Sequence, residues 1–205
     1  MLRVGLTGGI ACGKSAVAKM FAELGAHIIQ SDATAHELYR PGEPVYEEVV
    51  RRFGREIVQP DGAIDRAKLA AIVFGQDRVE ELNKIVHPAV IERQAKWISS
   101  LAAKEPSAIV LVEAALIFEA KTNGRFEKMI VVTCKPEQKV QRFAQRAGID
   151  EDAARVEVER RTRAQMPDEE KIKRADYVID NSGPLDQTRH QVEKIFGELK
   201  ALADS

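Results

Sequence analysis

Cysteine is scarce in this chain. Of 205 residues, only Cys12 and Cys134 are cysteines, and they show no CxxC or other metal-ligand spacing. A chain of this length buries enough core to need no disulfide staples, and two lone thiols suit a reducing compartment. An excess of charge of one sign is also missing. Lys and Arg total 31 and Asp and Glu 32, for a net charge of −1. That balance argues against a generic polyanion binder, so no nucleic-acid partner is expected. Long apolar runs are absent too. No stretch approaches the roughly 18 residues of a membrane span, and the opening "MLRVGLTGG" is too short an apolar run for a signal peptide. There is no internal repeat and no low-complexity tract. The expectation is a cytoplasmic protein of one domain, or one core with inserted lobes, without a membrane partner.

What is present reads as alternating strands and helices. "LRVGLT" (2–7) predicts a short buried strand, followed by a glycine-rich turn and a helix over 14–25, where Val17, Met20, Phe21 and Leu24 recur at helical spacing. "AHIIQS" (26–31) predicts a second strand, which completes a βαβ-sized unit with parallel strands. From Ala33 to Glu105 the pattern is helical. One amphipathic helix stops at Gly54, and another is capped by Asp65. A third runs up to Pro88, which then opens a fourth through Trp97 and Leu101. "AIVLVEAAL" (108–116) and "KMIVVTC" (128–134) are unbroken apolar runs of the kind that form central parallel strands. Charged helices return over 136–174. "ADYVIDNSG" (175–183) is a fifth strand candidate, and Pro184 opens a last amphipathic helix. The fold class is α/β: a five-stranded parallel sheet with two helical excursions. The expected division is a core of 1–32, 106–135 and 175–205, a substrate lobe over 33–105 and a lid over 136–174.

The turn Gly8-Gly9-Ile10-Ala11-Cys12-Gly13-Lys14-Ser15 matches G-x-x-x-x-G-K-[ST]. Such a loop wraps a phosphate with inward-pointing backbone N–H groups, and side chains at the glycines would block the approach. The helix that follows presents its positive end to the anion. Lys14 reaches the β/γ-phosphates, and the Ser15 hydroxyl can ligate magnesium. The match falls between a strand and a helix, which is the context the motif requires. Cys12 fills a free position of the motif. It is either a tolerated small residue or a regulatory thiol whose pKa the helix end and Lys14 lower.

A phosphate loop by itself does not distinguish a kinase from a switch or a motor. "NKIV" at 83–86 lacks the Asp of the guanine-reading N-K-x-D and sits in a helix. The chain is small for a motor core. A small-molecule kinase remains, and such an enzyme needs an acceptor lobe and an arginine-bearing lid. Seven of 17 arginines fall between 142 and 174, with nine acidic residues mixed into 135–174. Arg142 and Arg146, four apart on one helix, are read as a clamp on the transferring phosphoryl or as a solvated face. Arg161 is read the same way. Asp32 follows the second strand, where ligands of parallel sheets gather. It can serve as general base or as a helix cap, a job Ser31 can also do. Glu113 stands where an acid supports magnesium in such proteins, or is a strand-end carboxylate turned to solvent. His87, before Pro88, is a phosphate or substrate contact or an ordinary residue at a helix start.

Taken in order, "GLTGGIACGKS", "IIQSDATAHELYRPGEPVYEEVVRRFG", "DRAKLAAIVF", "LNKIVHPAV", "VEAALIFE", "VVTCKPEQKVQRFAQR", "RTRAQMPDEEK" and "ADYVIDNSG" strongly resemble the dephospho-CoA kinase family nearly end to end. The resemblance implies the P-loop NTPase fold of nucleoside monophosphate kinases, with a CoA-binding lobe and a lid. It implies ATP and Mg2+, and transfer to the ribose 3′-hydroxyl of dephospho-CoA in the last step of coenzyme A synthesis. By matching position, Ala11 to Ala16 lie in the ATP-binding stretch and Asp32 is the catalytic base. Arg142 is a lid arginine, and His87-Pro88 and Leu116 to Glu119, with Phe118 among them, are substrate-lobe motifs. Asn181 and Gly183 lie near the adenine. The chain departs from the family pattern in four places. Gln30-Ser31-Asp32 stands where Asp-Ala-Asp is usual. Ala115 replaces a proline, Glu113 stands for an Asp, and Ala16 for a Thr. The rival readings are a kinase for another nucleotide or small alcohol, and a nucleotide-gated switch.

Overall fold

The computed structural model describes all 205 residues. The chain divides into two compact units, residues 1–29 with 101–205, and residues 30–100. In chain order the first unit opens with β1 (Leu2–Gly8), α1 (Lys14–Glu23) and β2 (His27–Gln30). The second unit carries α2 (Ser31–Leu38), α3 (Pro44–Phe53), α4 (Arg66–Gly75) and α5 (Val79–Ala102). The chain then returns through β3 (Ile109–Glu113), β4 (Lys128–Thr133), α6 (Pro136–Ala147), α7 (Glu151–Arg163), α8 (Asp168–Lys173), β5 (Tyr177–Asp180) and α9 (Leu185–Ala203).

The five strands form one parallel sheet in the order β2-β3-β1-β4-β5. The apolar runs explain the centre of the sheet. Every residue of β3 and all but the two ends of β4 are buried, as strands covered by helices on both faces require. The register places Leu6 of β1 beside Glu113 of β3, and Gly8 beside Val132 of β4. A Cβ on Gly8 would run into the Val132 carbonyl, so the close approach of β1 and β4 requires glycine there. On one face α1 and α9 cover a core that includes Leu6, Val17, Phe21, Leu111, Ile130, Val192 and Leu199. Val140, Phe143 and Ala144 of α6 pack with Ala154 and Val158 of α7 and with Ile10 of the glycine turn.

β3 is shorter than the apolar run that encodes it. It stops at Glu113, and residues 114–120 turn away. Ile117 and Phe118, 2% and 4% exposed, are buried against Met129 and Val131. A continuous apolar run marks burial without fixing where pairing ends.

Residues 30–100 hold their own core, with Leu38, Val49, Phe53, Ile57, Leu69, Val73, Val86 and Val90 buried. Asp65 caps α4 as expected, its Oδ1 accepting from the N–H groups of Ala67 at 3.0 Å and Lys68 at 3.1 Å. Pro88 does not separate two helices. It lies inside α5, a single helix of 24 residues. A proline removes one donor and crowds one preceding turn, which a long helix anchored on both sides by buried residues such as Val86 and Val90 accommodates. His87 is therefore a mid-helix residue and not a helix start. No helix is long and apolar enough to cross a membrane.

Candidate active site

The glycine turn after β1 forms a backbone cradle. Ala11 and Gly13 both have positive φ, 54° and 90°, and Gly13 is the N-cap of α1. Alternation of left- and right-handed residues turns successive N–H groups to one side, the arrangement that receives an anion. No side chain caps α1 and no acidic residue of the helix itself lies in its first turn, so its positive end faces the loop. The Lys14 ammonium folds back over the loop and donates to the carbonyls of Gly8 and Gly9, both at 3.0 Å.

Ser15 Oγ donates to Glu113 Oε1 at 2.7 Å. Glu113 ends β3 one strand away from the loop's origin, and only 9% of it is exposed. The solvent-turned reading of this carboxylate is thereby overturned. A hydroxyl and a carboxylate are hard oxygen donors, the set magnesium accepts when substrate phosphates and water complete its shell. The pair therefore fits Mg2+. No group of three or more His, Cys, Asp or Glu forms a cage that would hold an ion by protein ligands alone.

The far side of the loop is held by Asn181, 7% exposed, in the turn after β5. Its Nδ2 donates to the Cys12 carbonyl at 2.8 Å, while its Oδ1 accepts from the buried Thr188 hydroxyl at 2.9 Å. Arg142, on α6, donates to the Asn181 carbonyl at 2.9 Å and to the Cys12 carbonyl at 3.5 Å. Arg142 thus joins the loop to the turn that holds Asn181. Arg146 and Arg161 go elsewhere. Each guanidinium sits 5.4 Å from the Phe143 ring centroid, and Arg161 also pairs with Glu157. Gly183 lies in the same turn as Asn181, where a Cβ would overlap the Gln187 side chain.

Beneath the loop lies a cluster that sequence reasoning did not find. Lys139, 7% exposed, is paired with Asp168, and a Cβ built on Gly9 would lie 3.1 Å from Lys139 Nζ and 3.3 Å from Cys12 Sγ. Lys139 is one of four consecutive-turn residues on the buried face of α6, with Val140, Phe143 and Ala144. A lysine at a core position of an amphipathic helix is the signal that could have marked it. Cys12 is fully buried, and the neighbouring Cys134 thiol is the largest influence on its titration. That neighbour, with the nearby Lys139 and Lys14 charges, outweighs burial and lowers the Cys12 thiol to about 7, while Cys134 is pushed up. Ala11, Gly13 and Ala16 continue the loop into α1, with Ala16 exposed.

The remaining sequence candidates divide. Phe118 is a core residue, Leu116 is 42% exposed, and Glu119 is engaged internally. Glu119 Oε1 accepts the Met166 N–H at 2.9 Å and lies 2.9 Å from Nζ of Lys171, whose side chain is fully buried. This ties the turn after β3 to α8. Asp32 is exposed in the first turn of α2. The N-cap of that helix is Gln30, with no side-chain capping bond, so neither Asp32 nor Ser31 caps it. His87 is half-buried in α5, and burial lowers its pKa.

A parallel 2-3-1-4-5 sheet with a phosphate cradle after β1, a basic residue leading α1 and an acid ending β3 defines the P-loop kinase class. The comparisons place it more narrowly. The family model for dephospho-CoA kinase matches residues 2–187. Dephospho-CoA kinase from Aquifex aeolicus is 44% identical over 200 residues, 97% of this chain and 98% of that protein. Its counterpart from Carboxydothermus hydrogenoformans is 43% identical over 198 residues, 96% of this chain and 94% of that one. A crystal structure of a Thermus thermophilus protein superposes with a TM-score of 0.80 at 35% identity, covering 97% of each chain. A solved dephospho-CoA kinase from Campylobacter jejuni gives 0.70 at 25% identity, again over 97% of each. The chain belongs to the dephospho-CoA kinase family, whose members use ATP to phosphorylate dephospho-CoA to coenzyme A, the last step of coenzyme A biosynthesis.

Proposed function

We propose that this chain performs that reaction by direct in-line transfer to the ribose 3′-hydroxyl, with its own residues in the following roles. The loop from Gly8 to Ser15 and the N-terminus of α1 bind the phosphates, and Lys14 exchanges its contacts with the Gly8 and Gly9 carbonyls for β/γ-phosphate oxygens. Ser15 and Glu113 would hold Mg2+, which when bound supplies neutralising charge to those phosphates. Arg142 and Asn181 keep the loop in register and border the nucleotide side of it. Asp32, two residues beyond the end of β2, orients the 3′-hydroxyl and accepts its proton. His87, Leu116 and Arg161 belong to the acceptor-binding reading, with residues 33–105 as substrate lobe and 136–174 as lid. Positioning and charge neutralisation supply the rate, and no covalent intermediate is needed. The location proposed is the cytoplasm.

The observation that carries this reading is the convergence of Lys14, Ser15, Glu113, Asn181 and Arg142 on one cradle at the carboxyl ends of β1, β3 and β5. The test is incubation of the purified protein with ATP, magnesium and dephospho-CoA, with mass detection of coenzyme A. ADP release without an acceptor, and no coenzyme A, would instead mark a nucleotide-gated switch. Asp32→Asn separates the base from a structural role. The residue is exposed and makes no capping bond, so the variant keeps its melting temperature and ATP affinity. Its kcat falls by about 10²–10⁴-fold. Retention of wild-type kcat removes Asp32 from the mechanism and makes Glu113 the next candidate.

A further inference from the structure

The chain's two cysteines are 122 positions apart in sequence and side by side in the fold. Cys12 belongs to the phosphate loop, and Cys134 is the first residue after β4, the strand beside β1. Both are buried in the same core cluster, 0% and 9% exposed, and each thiol is the largest influence on the titration of the other. Cys134 Sγ also lies 4.0 Å from the carbonyl of Ala11, the residue before Cys12. Packing alone does not require this. Any small apolar residue would fill either position, and the motif leaves position 12 free.

We propose that Cys12 and Cys134 form a reversible intramolecular disulfide on exposure to a hydroperoxide, and that the bond disables the phosphate cradle. The chemistry balances as two steps. The Cys12 thiolate attacks one peroxide oxygen: an S–O bond forms, the O–O bond breaks, and the departing oxygen leaves as water or alcohol after taking a proton. The Cys134 sulfur then attacks the resulting sulfenic sulfur. An S–S bond forms, the S–O bond breaks, and hydroxide leaves as water with the Cys134 proton. Two thiols lose two electrons in total and the hydroperoxide gains them. The neighbourhood favours Cys12 as the first nucleophile. The Lys139 ammonium lies beneath the same loop and supports the thiolate. Cys134, relieved of the Cys12 negative charge once that sulfur is a sulfenic acid, gives up its proton and resolves it.

The consequence for the site follows from what holds the loop. The Cys12 carbonyl accepts from Asn181 and Arg142, and the adjacent Ala11 and Gly13 are in positive-φ conformations. Drawing the sulfurs to covalent distance pulls residue 12 toward β4 against those contacts. The N–H groups that must converge on the phosphates shift with it. Nucleotide on the loop favours the unpulled geometry, so ATP protects the thiols. Burial of Cys12 makes oxidation depend on loop opening, and ATP suppresses that as well.

The test uses the full chain treated with hydrogen peroxide, with and without ATP and magnesium. Remaining thiols are then blocked, and the protein is digested without reductant. The expected result is a Cys12–Cys134 cross-linked peptide, monomeric protein on a non-reducing gel, and slower cross-linking with nucleotide. Dephospho-CoA-dependent ADP release falls in proportion to the cross-link and returns with dithiothreitol. Cys134→Ser keeps activity before treatment, forms no cross-link, and accumulates a dimedone-trapped sulfenic acid at Cys12. The proposal is overturned if the two thiols are recovered free or separately oxidised without the cross-linked peptide, or if the cross-linked protein keeps full activity. The peptide readout is independent of turnover, so a failure of the kinase reading leaves the disulfide result legible.

Discussion

Gly13→Ala tests the geometry of the loop more sharply than removal of a charged group. Gly13 has φ 90°, outside the range an alanine adopts without strain. A Cβ there would also overlap Nδ2 of Asn181. The first effect costs about 1–2 kcal/mol. The second pushes the Asn181 amide off the Cys12 carbonyl and leaves buried polar groups unpaired, a further ~1–3 kcal/mol. The total is about 2–5 kcal/mol, and at about 2–4 °C per kcal/mol for a chain of this length the melting temperature falls by roughly 4–20 °C. Gly25→Ala supplies the internal control. Gly25 has φ 106°, yet a Cβ there would meet nothing within 4 Å. It carries the conformational cost alone, about 1–2 kcal/mol. The difference between the two variants therefore isolates the collision with Asn181. In an Asn181→Ala background the collision has no target, and Gly13→Ala should then cost no more than Gly25→Ala does. Calorimetric unfolding of the wild type and the four variants measures this, and ATP titration should show nucleotide affinity lost in Gly13→Ala and kept in Gly25→Ala. Equal destabilisation by the two glycine substitutions in the wild-type background refutes the reasoning.

Lys14→Ala should leave the fold intact, since its ammonium bonds the Gly8 and Gly9 carbonyls of the loop and the residue is not part of the core; kcat/KM should drop by the equivalent of about 2–4 kcal/mol, and an undiminished value in the folded variant would contradict its phosphate role. Lys171→Met leaves the Glu119 carboxylate facing a closed interior and should destabilise by about 3 kcal/mol, with Glu119→Gln in the same chain recovering part of that in a double-mutant cycle by chemical denaturation. Alkylation of Cys12 should accelerate as pH rises through about 7, because the thiolate is the nucleophile, and saturating ATP with magnesium should slow it; peptide mapping that finds equal labelling with and without nucleotide would contradict the described placement of the thiol.

Much of the architecture follows from patterns that are local in sequence. Unbroken apolar runs mark β3 and β4 because a strand covered on both faces has no polar side to show. The spacing of glycines, lysine and serine marks the phosphate cradle because backbone approach and positive φ are properties of residue type. The Asp65 cap is legible for the same reason, as a side chain bonding N–H groups two and three residues on. Pro88 shows the limit of such reading. Proline disfavours helix locally, but the buried residues flanking it in α5 outvote one missing donor, and that sum is not local.

What only the tertiary structure decided are the partners drawn from distant parts of the chain. The sequence by itself determined that Ser15 and Glu113 are oxygen donors in the right motifs; the register of β1 against β3 decided that they meet at 2.7 Å. It determined that Arg142 lies in an arginine-rich helical segment and Asn181 just after the last strand; the parallel order β1-β4-β5 decided that both converge on the carbonyl of Cys12. Lys139, Asp168 and Lys171 read as charges in a mixed segment and Glu119 as part of a substrate-lobe motif, because burial is a property of what packs above a residue and not of the residue itself. Two cysteines without any shared motif become neighbours for the same physical reason: a parallel sheet brings the carboxyl ends of strands far apart in sequence to one edge, and side-chain chemistry there is set by adjacency in space.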